Sequence, residues 1–179
     1  KVPFLVVHGE LDRQIPLERL MLIPARRLRD SRMVVAGPQY PPDIVWPPNV
    51  ERIEHLAPAE HRRFYASQRF TLNITRADMR RWGWSPSVRL FEAAGCGVPI
   101  ISDSWNGLGE VFSLGEEILV ALSPEDTVRF LTQTSDERRR SIAEKARRRV
   151  LGEHTAAHRA EQLEACALEA LKPTVPRTP

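Results

Sequence analysis

Short apolar runs alternate with segments of helical pattern along most of this 179-residue chain. The runs lie at residues 3–8, 33–36, 50–55, 70–74, 98–102 and 118–121. Runs of this length, separated by helical stretches, are typical of buried parallel strands joined by right-handed crossovers. We therefore expect an α/β fold with a doubly wound, Rossmann-like sheet of about six parallel strands flanked by helices.

Helices are predicted between and after these strands. A first helix is expected at residues 16–29, where Pro24 predicts a kink, and another at residues 58–68. From residue 124 onward, apolar residues recur at helical spacing, so C-terminal helices are predicted as far as residue 171. The segment 37–48 contains five prolines and is expected to be an extended loop.

The length favours one domain with a sizeable core, expected at residues 1–171. The tail 172–179 carries three prolines and is expected to be disordered. The chain begins with Lys1 and has no secretory signal pattern, so it is interpreted as a fragment of a cytoplasmic protein. Two cysteines exclude a disulfide framework and a four-cysteine zinc site.

The charge pattern does not predict a polyanion-binding protein. The 26 basic and 23 acidic residues are interspersed and give a net charge of +3. The arginine clusters at 138–140 and 147–149 are expected to form solvated helix faces, with peripheral contact to anionic lipid as the alternative. Trp82 and Trp84 lack a second stacking motif, so no nucleic-acid partner is expected.

The site is predicted at one edge of the sheet. In doubly wound sheets, ligands bind beyond the carboxyl ends of the strands. At Ser85, followed by Pro86, the sequence predicts a helix start. The backbone N–H groups of Ser87 and Val88 would then form an anion site suited to phosphate.

Glu92 is the most informative residue of the predicted helix. A carboxylate repels phosphate, but it accepts hydrogen bonds from vicinal hydroxyls such as those of a ribose. The alternative is a Glu92 that is solvated or ion-paired. Gly95 and Gly97 are expected to close the helix.

The stretch 70–121 resembles the C-terminal domain of GT-B-fold glycosyltransferases of the family-4 retaining type. The resemblance is carried by Glu92-Ala93, by Gly-Val-Pro-Ile-Ile at 97–101 and by Gly-Leu-Gly-Glu at 107–110. Residues 75–79, 85–93 and 154–160 are similar to the spore-maturation-protein-type subgroup. The resemblance covers roughly residues 3–165.

The resemblance implies a domain that binds a nucleotide-diphosphate-sugar as donor and transfers the sugar to an unknown acceptor. It implies that Glu92 binds the donor ribose and that the N–H groups of Ser87 and Val88 bind the pyrophosphate. The loop at His55 and Leu56 would face the nucleobase through backbone groups.

A basic residue near Gly9 is implied to grip the phosphates. Arg13 is the nearest such residue, and Arg76 is a second candidate. No metal or cofactor is expected, because helix N-termini and basic residues stabilise the leaving diphosphate in this type of site. The sequence identifies no catalytic residue.

Two departures from the family pattern keep alternatives open. Trp84 stands where the family has the first glutamate of a pair, and the acceptor-binding domain that precedes such domains is missing. The chain is therefore expected to be inactive alone, and a nucleotide-sugar epimerase and a non-catalytic nucleotide-binding module remain alternatives. A hydrolase with Asp12 as its acid is disfavoured, because the sequence has no Gly-x-Ser-x-Gly elbow.

Overall fold

The computed structural model describes residues 14–38, 40–84 and 86–171. The strands in this part of the chain are β1 (Met33–Ala36), β2 (Val50–Ile53), β3 (Thr71–Asn73), β4 (Ile100–Ser102) and β5 (Leu119–Val120). The α-helices in this part are α1 (Gln14–Leu17), α2 (Ile23–Arg27), α3 (Pro58–Ala66), α4 (Ala77–Trp82), α5 (Val88–Gly95), α6 (Leu108–Val111), α7 (Pro124–Gln133), α8 (Asp136–Glu153) and α9 (Ala156–Ala170).

The described strands form two parallel sheets, β1-β2 and β3-β4-β5. Met33 pairs with Val50 in the first sheet, and Thr71 pairs with Ile100 in the second. Strands β1, β3 and β4 are buried along their whole length, as expected for parallel strands covered on both faces. The predicted α/β class with parallel strands is confirmed. The single sheet of about six strands is wrong for the described residues, which hold five strands in two sheets.

The difference has two sources. The strand predicted at residues 3–8 lies outside the described residues. Strand β1 matches its apolar run, whereas the other four described strands are shorter than theirs. The Val98 N–H, for example, donates to the Ala93 carbonyl at the end of α5.

The predicted kink at Pro24 takes the form of a π turn. The turn, Glu18–Leu22, joins α1 to α2 without a break. Pro24 has no N–H and cannot donate to the carbonyl four residues before it. The Ile23 N–H instead donates to the Glu18 carbonyl, five residues back, so the helix continues past the proline.

Two apolar clusters form the core. The first joins the π turn to the sheets through fully buried side chains such as Met21, Val35 and Phe70. The second lies around α5 and includes Leu90 and Phe112. Helix α8 contributes to both clusters, with Ile142 in the first and with Ala146 and Val150 in the second. The helical spacing of these α8 residues therefore predicted a buried face correctly.

The C-terminal helices follow the sequence prediction, and their starts are capped by side chains. Ser123 and Asp126 form a capping box at α7, and Thr155 and His158 form one at α9. Helix α9 contains no buried residue. The predicted disordered tail, 172–179, lies outside the described residues.

The proline-rich connection between β1 and β2 is held by an arginine, and in its described part it contains neither helix nor strand. The Arg52 guanidinium lies 4.4 Å from the ring centres of both Tyr40 and Trp46. Its Nη2 donates to the Gly37 carbonyl at 3.2 Å. This arrangement fixes the loop to β2 at the point where β1 ends.

We expect Arg52→Gln to lower the free energy of unfolding by about 1–2 kcal/mol, because it removes the cation from two aromatic rings. Urea denaturation measures the loss. The matched control is Arg63→Gln, which removes the charge of an exposed arginine on α3. Equal, small losses for both variants would show that the aromatic contacts of Arg52 do not stabilise the loop.

Candidate functional site

A cavity of about 200 Å³ lies where β1 ends, between α3 and the start of α5. Its walls come from the end of β1, the segment before α3, α3 itself and α5: Ala36, Gly37, Leu56, His61, Phe64, Tyr65, Ser87, Val88, Arg89 and Glu92. The cavity therefore lies at the carboxyl end of a parallel strand, where the sequence predicts a ligand. It brings together four of the predicted site residues: Leu56, Ser87, Val88 and Glu92.

The first turn of α5 opens onto this cavity. Ser87 is the N-cap residue and has extended backbone angles, φ −67° and ψ 137°. It makes no side-chain capping hydrogen bond. The N–H groups of Val88 and Arg89 stand in the first turn, where no preceding carbonyl of the helix can accept from them. They give the cavity wall a partial positive charge that favours an anion.

The predicted helix start at Ser85 is wrong, because α5 begins at Val88. The chain just before it is bound to another loop. Gly83 and Trp84 have positive φ angles of 66° and 43°. The Trp84 N–H donates to the Asn106 carbonyl at 2.8 Å, and its indole Nε1–H donates to Glu110 Oε1 at 2.8 Å. These tertiary bonds override the local signal of a serine followed by a proline.

The other end of α5 agrees with the sequence prediction. Gly97 adopts a positive φ of 74°, and its N–H donates to the Ala94 carbonyl. The Val98 N–H donates to the Ala93 carbonyl, which completes a Schellman motif. Gly95 is the last helical residue. The helix is thus fixed at its C-terminus while its N-terminus faces the cavity.

Glu92 lies on the second turn of α5 and lines the cavity. Its side chain is 42% exposed. The nearest basic group is His61 on α3, whose Nδ1 lies 3.9 Å from Glu92 Oε2. At that distance the contact is weak, so the carboxylate keeps acceptor capacity for a ligand hydroxyl.

Arg89 and Tyr65 are site residues that the sequence analysis did not identify. Arg89 Nη1 lies 3.4 Å from Asn73 Oδ1, and the guanidinium is close enough to Tyr65 for its charge to act on the pKa of the Tyr65 hydroxyl. Burial raises the pKa of Tyr65 to about 12 and lowers the pKa of Arg89. The available signal was an arginine three residues before Glu92, since residues at that spacing share one helix face.

Asn73 belongs to a buried polar network at the carboxyl ends of β3 and β4. Its Nδ2 donates to Thr75 Oγ1 at 3.2 Å and to Ser102 Oγ at 3.1 Å. Asp103 accepts from the Thr75 N–H at 3.1 Å and from the Thr75 hydroxyl at 2.7 Å. The network fixes the Asn73 side chain and, through it, the Arg89 guanidinium.

The other predicted site residues are not in the cavity wall. His55 is exposed and lies next to Leu56 without lining the cavity. Arg76 is the exposed N-cap residue of α4 and does not line the cavity either. Gly9 and Arg13 lie outside the described residues.

No group of three or more His, Cys, Asp and Glu side chains is placed to hold a metal ion in the part of the chain that the structure describes. Among the described helices, none is both long and apolar enough to cross a bilayer.

A family model for glycosyl transferase-like proteins matches residues 13–165, most of the chain. The chain belongs to this family. Comparison with curated proteins finds no match. The family match confirms the predicted resemblance to glycosyltransferases, while the spore-maturation-type subgroup stays a prediction.

Solved structures share the fold of this glycosyl transferase-like chain at low sequence identity. Sucrose-phosphate synthase from Thermosynechococcus elongatus superposes with a TM-score of 0.72 at 14% identity, over 95% of this chain and 46% of that one. Anabaena HepE, solved with UDP-glucose, superposes with a TM-score of 0.69 at 14% identity, over 94% of this chain and 49% of that one.

A third structure is a single domain. The C-terminal domain of LpcC, a group 1 glycosyl transferase from Francisella tularensis, superposes with a TM-score of 0.62 at 13% identity. The match covers 87% of this chain and 89% of that domain. The glycosyl transferase-like chain therefore spans about half of the two longer relatives and most of an isolated C-terminal domain, as the GT-B resemblance implies.

The raised pKa of Tyr65 predicts a pH dependence of stability in this glycosyl transferase-like domain. The folded state keeps the phenol protonated to a pH of about 12, whereas the unfolded chain loses the proton near pH 10. Stability contributed by Tyr65 is therefore present below pH 10 and is lost as the pH rises to about 12.

We expect the stability of the native protein relative to Tyr65→Phe to fall by about 2 kcal/mol between pH 10 and 12. Chemical denaturation of both proteins across this pH range measures the difference. A difference that stays constant with pH would show that the Tyr65 hydroxyl ionises as easily in the folded state as in the unfolded chain.

Proposed function

We propose that this chain is the donor-binding domain of a glycosyltransferase and that it binds a nucleoside-diphosphate sugar in the cavity beside α5. One observation carries the proposal: the N-terminus of α5 and the Glu92 carboxylate line the same cavity, at the carboxyl end of a parallel strand. The helix N-terminus favours an anion, and the Glu92 carboxylate accepts hydrogen bonds from hydroxyls. A nucleoside diphosphate presents both groups on one molecule.

The phosphates are assigned to the start of α5. The backbone N–H groups of Ser87 and Val88 lie at the positive end of the helix dipole, where a phosphate oxygen is stabilised. When the sugar leaves, the bond between its anomeric carbon and the diphosphate oxygen breaks, and the diphosphate retains the electron pair. The same N–H groups would stabilise that developing negative charge without a metal ion.

The ribose is assigned to Glu92. Its two carboxylate oxygens match two adjacent hydroxyls, and its exposure leaves them accessible from the cavity. The nucleobase would then lie toward Leu56 on the opposite wall, with the backbone of His55 and Leu56 as its expected partners. The base and the sugar are left open in this proposal.

The acceptor is assigned to a second domain. The chain spans about half the length of HepE and sucrose-phosphate synthase, so the residues that hold the acceptor are proposed to belong to another domain. Exposed apolar groups beside the α5 N-terminus, Val88 at 69% and Trp84 at 62%, are available to such a domain. We also propose that the protein is cytoplasmic and that it needs no cofactor.

The first test is nucleotide binding by this chain. We expect UDP, GDP or ADP to bind with millimolar to high-micromolar affinity, because a single domain leaves one side of the ligand in solvent. Isothermal titration of the three diphosphates measures binding and selects the base. Failure of all three to bind at millimolar concentration would contradict a donor site.

The second test is Glu92→Gln, which keeps the shape of the side chain and removes its charge. We expect affinity for the preferred diphosphate to fall by about 1.5–3 kcal/mol, or roughly 10- to 150-fold, with little change in thermal stability. The matched control is Glu60→Gln, an exposed glutamate of α3 outside the cavity wall.

The 2′-deoxy nucleotide separates ribose recognition from other effects of this variant. It should bind the native protein more weakly than the ribonucleotide and should lose less affinity on mutation of Glu92. If Glu92→Gln unfolds the domain, or weakens both nucleotides equally, Glu92 does not recognise the ribose. Incubation of the active full-length enzyme with the sugar donor then separates sugar transfer from epimer formation and from binding without turnover.

A further inference from the structure

Arg89 differs from the other described arginines in its surroundings. It is 8% exposed and is the only arginine in the buried class among the described residues. The other described arginines are intermediate or exposed, and many of them form ion pairs with carboxylates. Within the described residues, no carboxylate oxygen lies within ion-pair distance of the Arg89 guanidinium.

The groups that face Arg89 are neutral apart from Glu92, whose charge partly offsets the effect of burial on the pKa of Arg89 without forming an ion pair. Asn73 Oδ1 accepts at the long distance of 3.4 Å, and the Tyr65 hydroxyl is held protonated by its raised pKa. Glu92 lies on the same face of α5 but approaches His61 instead. A guanidinium has five N–H donors, and these neighbours use only part of that capacity.

The position of Arg89 in the helix is also unfavourable for its positive charge. It is the second residue of α5, at the positive end of the helix dipole, where a cation is disfavoured. Burial of a charge without a counter-charge is unfavourable unless a partner is supplied. Because Arg89 lines the cavity, an anion in the cavity is the partner that its surroundings lack.

We propose that Arg89 is a side chain that binds the diphosphate, a role for which the family resemblance implied Arg13 or Arg76 as candidates. The proposal rests on the donor site proposed above and names its phosphate ligand. The planar guanidinium fork matches two phosphate oxygens at once, and its Nη1 donates to Asn73 Oδ1.

The spacing of Arg89 and Glu92 fits one nucleotide. Three residues of α-helix rise about 4.5 Å, and both side chains lie on the same face of α5. The 5′-phosphate and the ribose hydroxyls of a nucleotide are separated by a comparable distance. One turn of helix therefore presents a cation to the phosphates and a carboxylate to the ribose.

The test compares Arg89→Met and Arg89→Lys with the control Arg63→Met, which removes an exposed arginine of α3 that does not line the cavity. The probes are inorganic pyrophosphate, the preferred nucleoside diphosphate and the same nucleoside without phosphate. Titration calorimetry measures the dissociation constants. Thermal melts with and without pyrophosphate measure the shift in melting temperature.

We expect Arg89→Met to weaken binding of pyrophosphate and of the diphosphate roughly 10- to 150-fold, the value of a charged hydrogen bond, and to leave nucleoside affinity unchanged. Its melting temperature without ligand should equal or exceed that of the native protein, because an uncompensated buried charge is removed. Pyrophosphate should raise the melting temperature of the native protein and of Arg63→Met, but not that of Arg89→Met.

The outcomes separate this proposal from the donor site itself. Suppose that pyrophosphate binds and that Arg89→Met abolishes this binding, but that no nucleotide binds more tightly than pyrophosphate. The proposed donor site is then wrong, and the proposal that Arg89 binds an anion is supported. If nucleotides bind and Arg89→Met loses diphosphate and nucleoside affinity equally, or loses neither, the role of Arg89 is overturned. If Arg89→Met does not fold, Arg89→Lys decides: a diphosphate affinity equal to that of the native protein rejects the guanidinium contact.

Discussion

The burial of α5 is the constraint on which the rest of the site depends. Leu90, Ala93 and Ala94 are fully buried in the second core cluster, and the helix packs on α8. The Schellman motif at Gly97 fixes the other end and starts the turn into β4. A helix held on its apolar face and at its C-terminus cannot withdraw its first turn from the cavity. The positions of Arg89 and Glu92 follow from this packing.

The sequence predicted correctly the elements that are determined by local hydrophobic pattern. The apolar run at 33–36 is β1 without change, and the helical spacing of Ile142, Ala146 and Val150 predicted the buried face of α8. Features set by distant contacts were not predicted. The helix start at Val88 depends on the hydrogen bonds of Trp84 to residues far along the chain, and the π turn depends on how Pro24 is accommodated.

The site residues likewise fall into those that the sequence predicted and those that depend on tertiary packing. Ser87, Val88 and Glu92 were predicted from the sheet-edge rule, one helix start and the family resemblance, and Leu56 was implied by the resemblance. His61 and Tyr65 enter the cavity only because α3 packs near α5, a tertiary fact that no local spacing contains. The sequence pattern did not single out Arg89. Its importance depends on burial, which is a property of the packed domain.

Two carboxylates of the site region contact other partners. Asp103 receives the N–H and hydroxyl of Thr75 within the network between β3 and β4, and Glu92 lies toward His61 at the mouth of the cavity. In the part of the chain that the structure describes, neither carboxylate forms an ion pair with Arg89, although the charge of Glu92 partly offsets the effect of burial on the pKa of Arg89. A ligand that supplies the missing anion stabilises the folded state only, by about 1.4 kcal/mol for each tenfold excess of its concentration over the dissociation constant. In such a domain, the same buried cation that lowers the stability of the free protein raises the affinity for the anion, so stability and binding change in opposite directions when it is replaced.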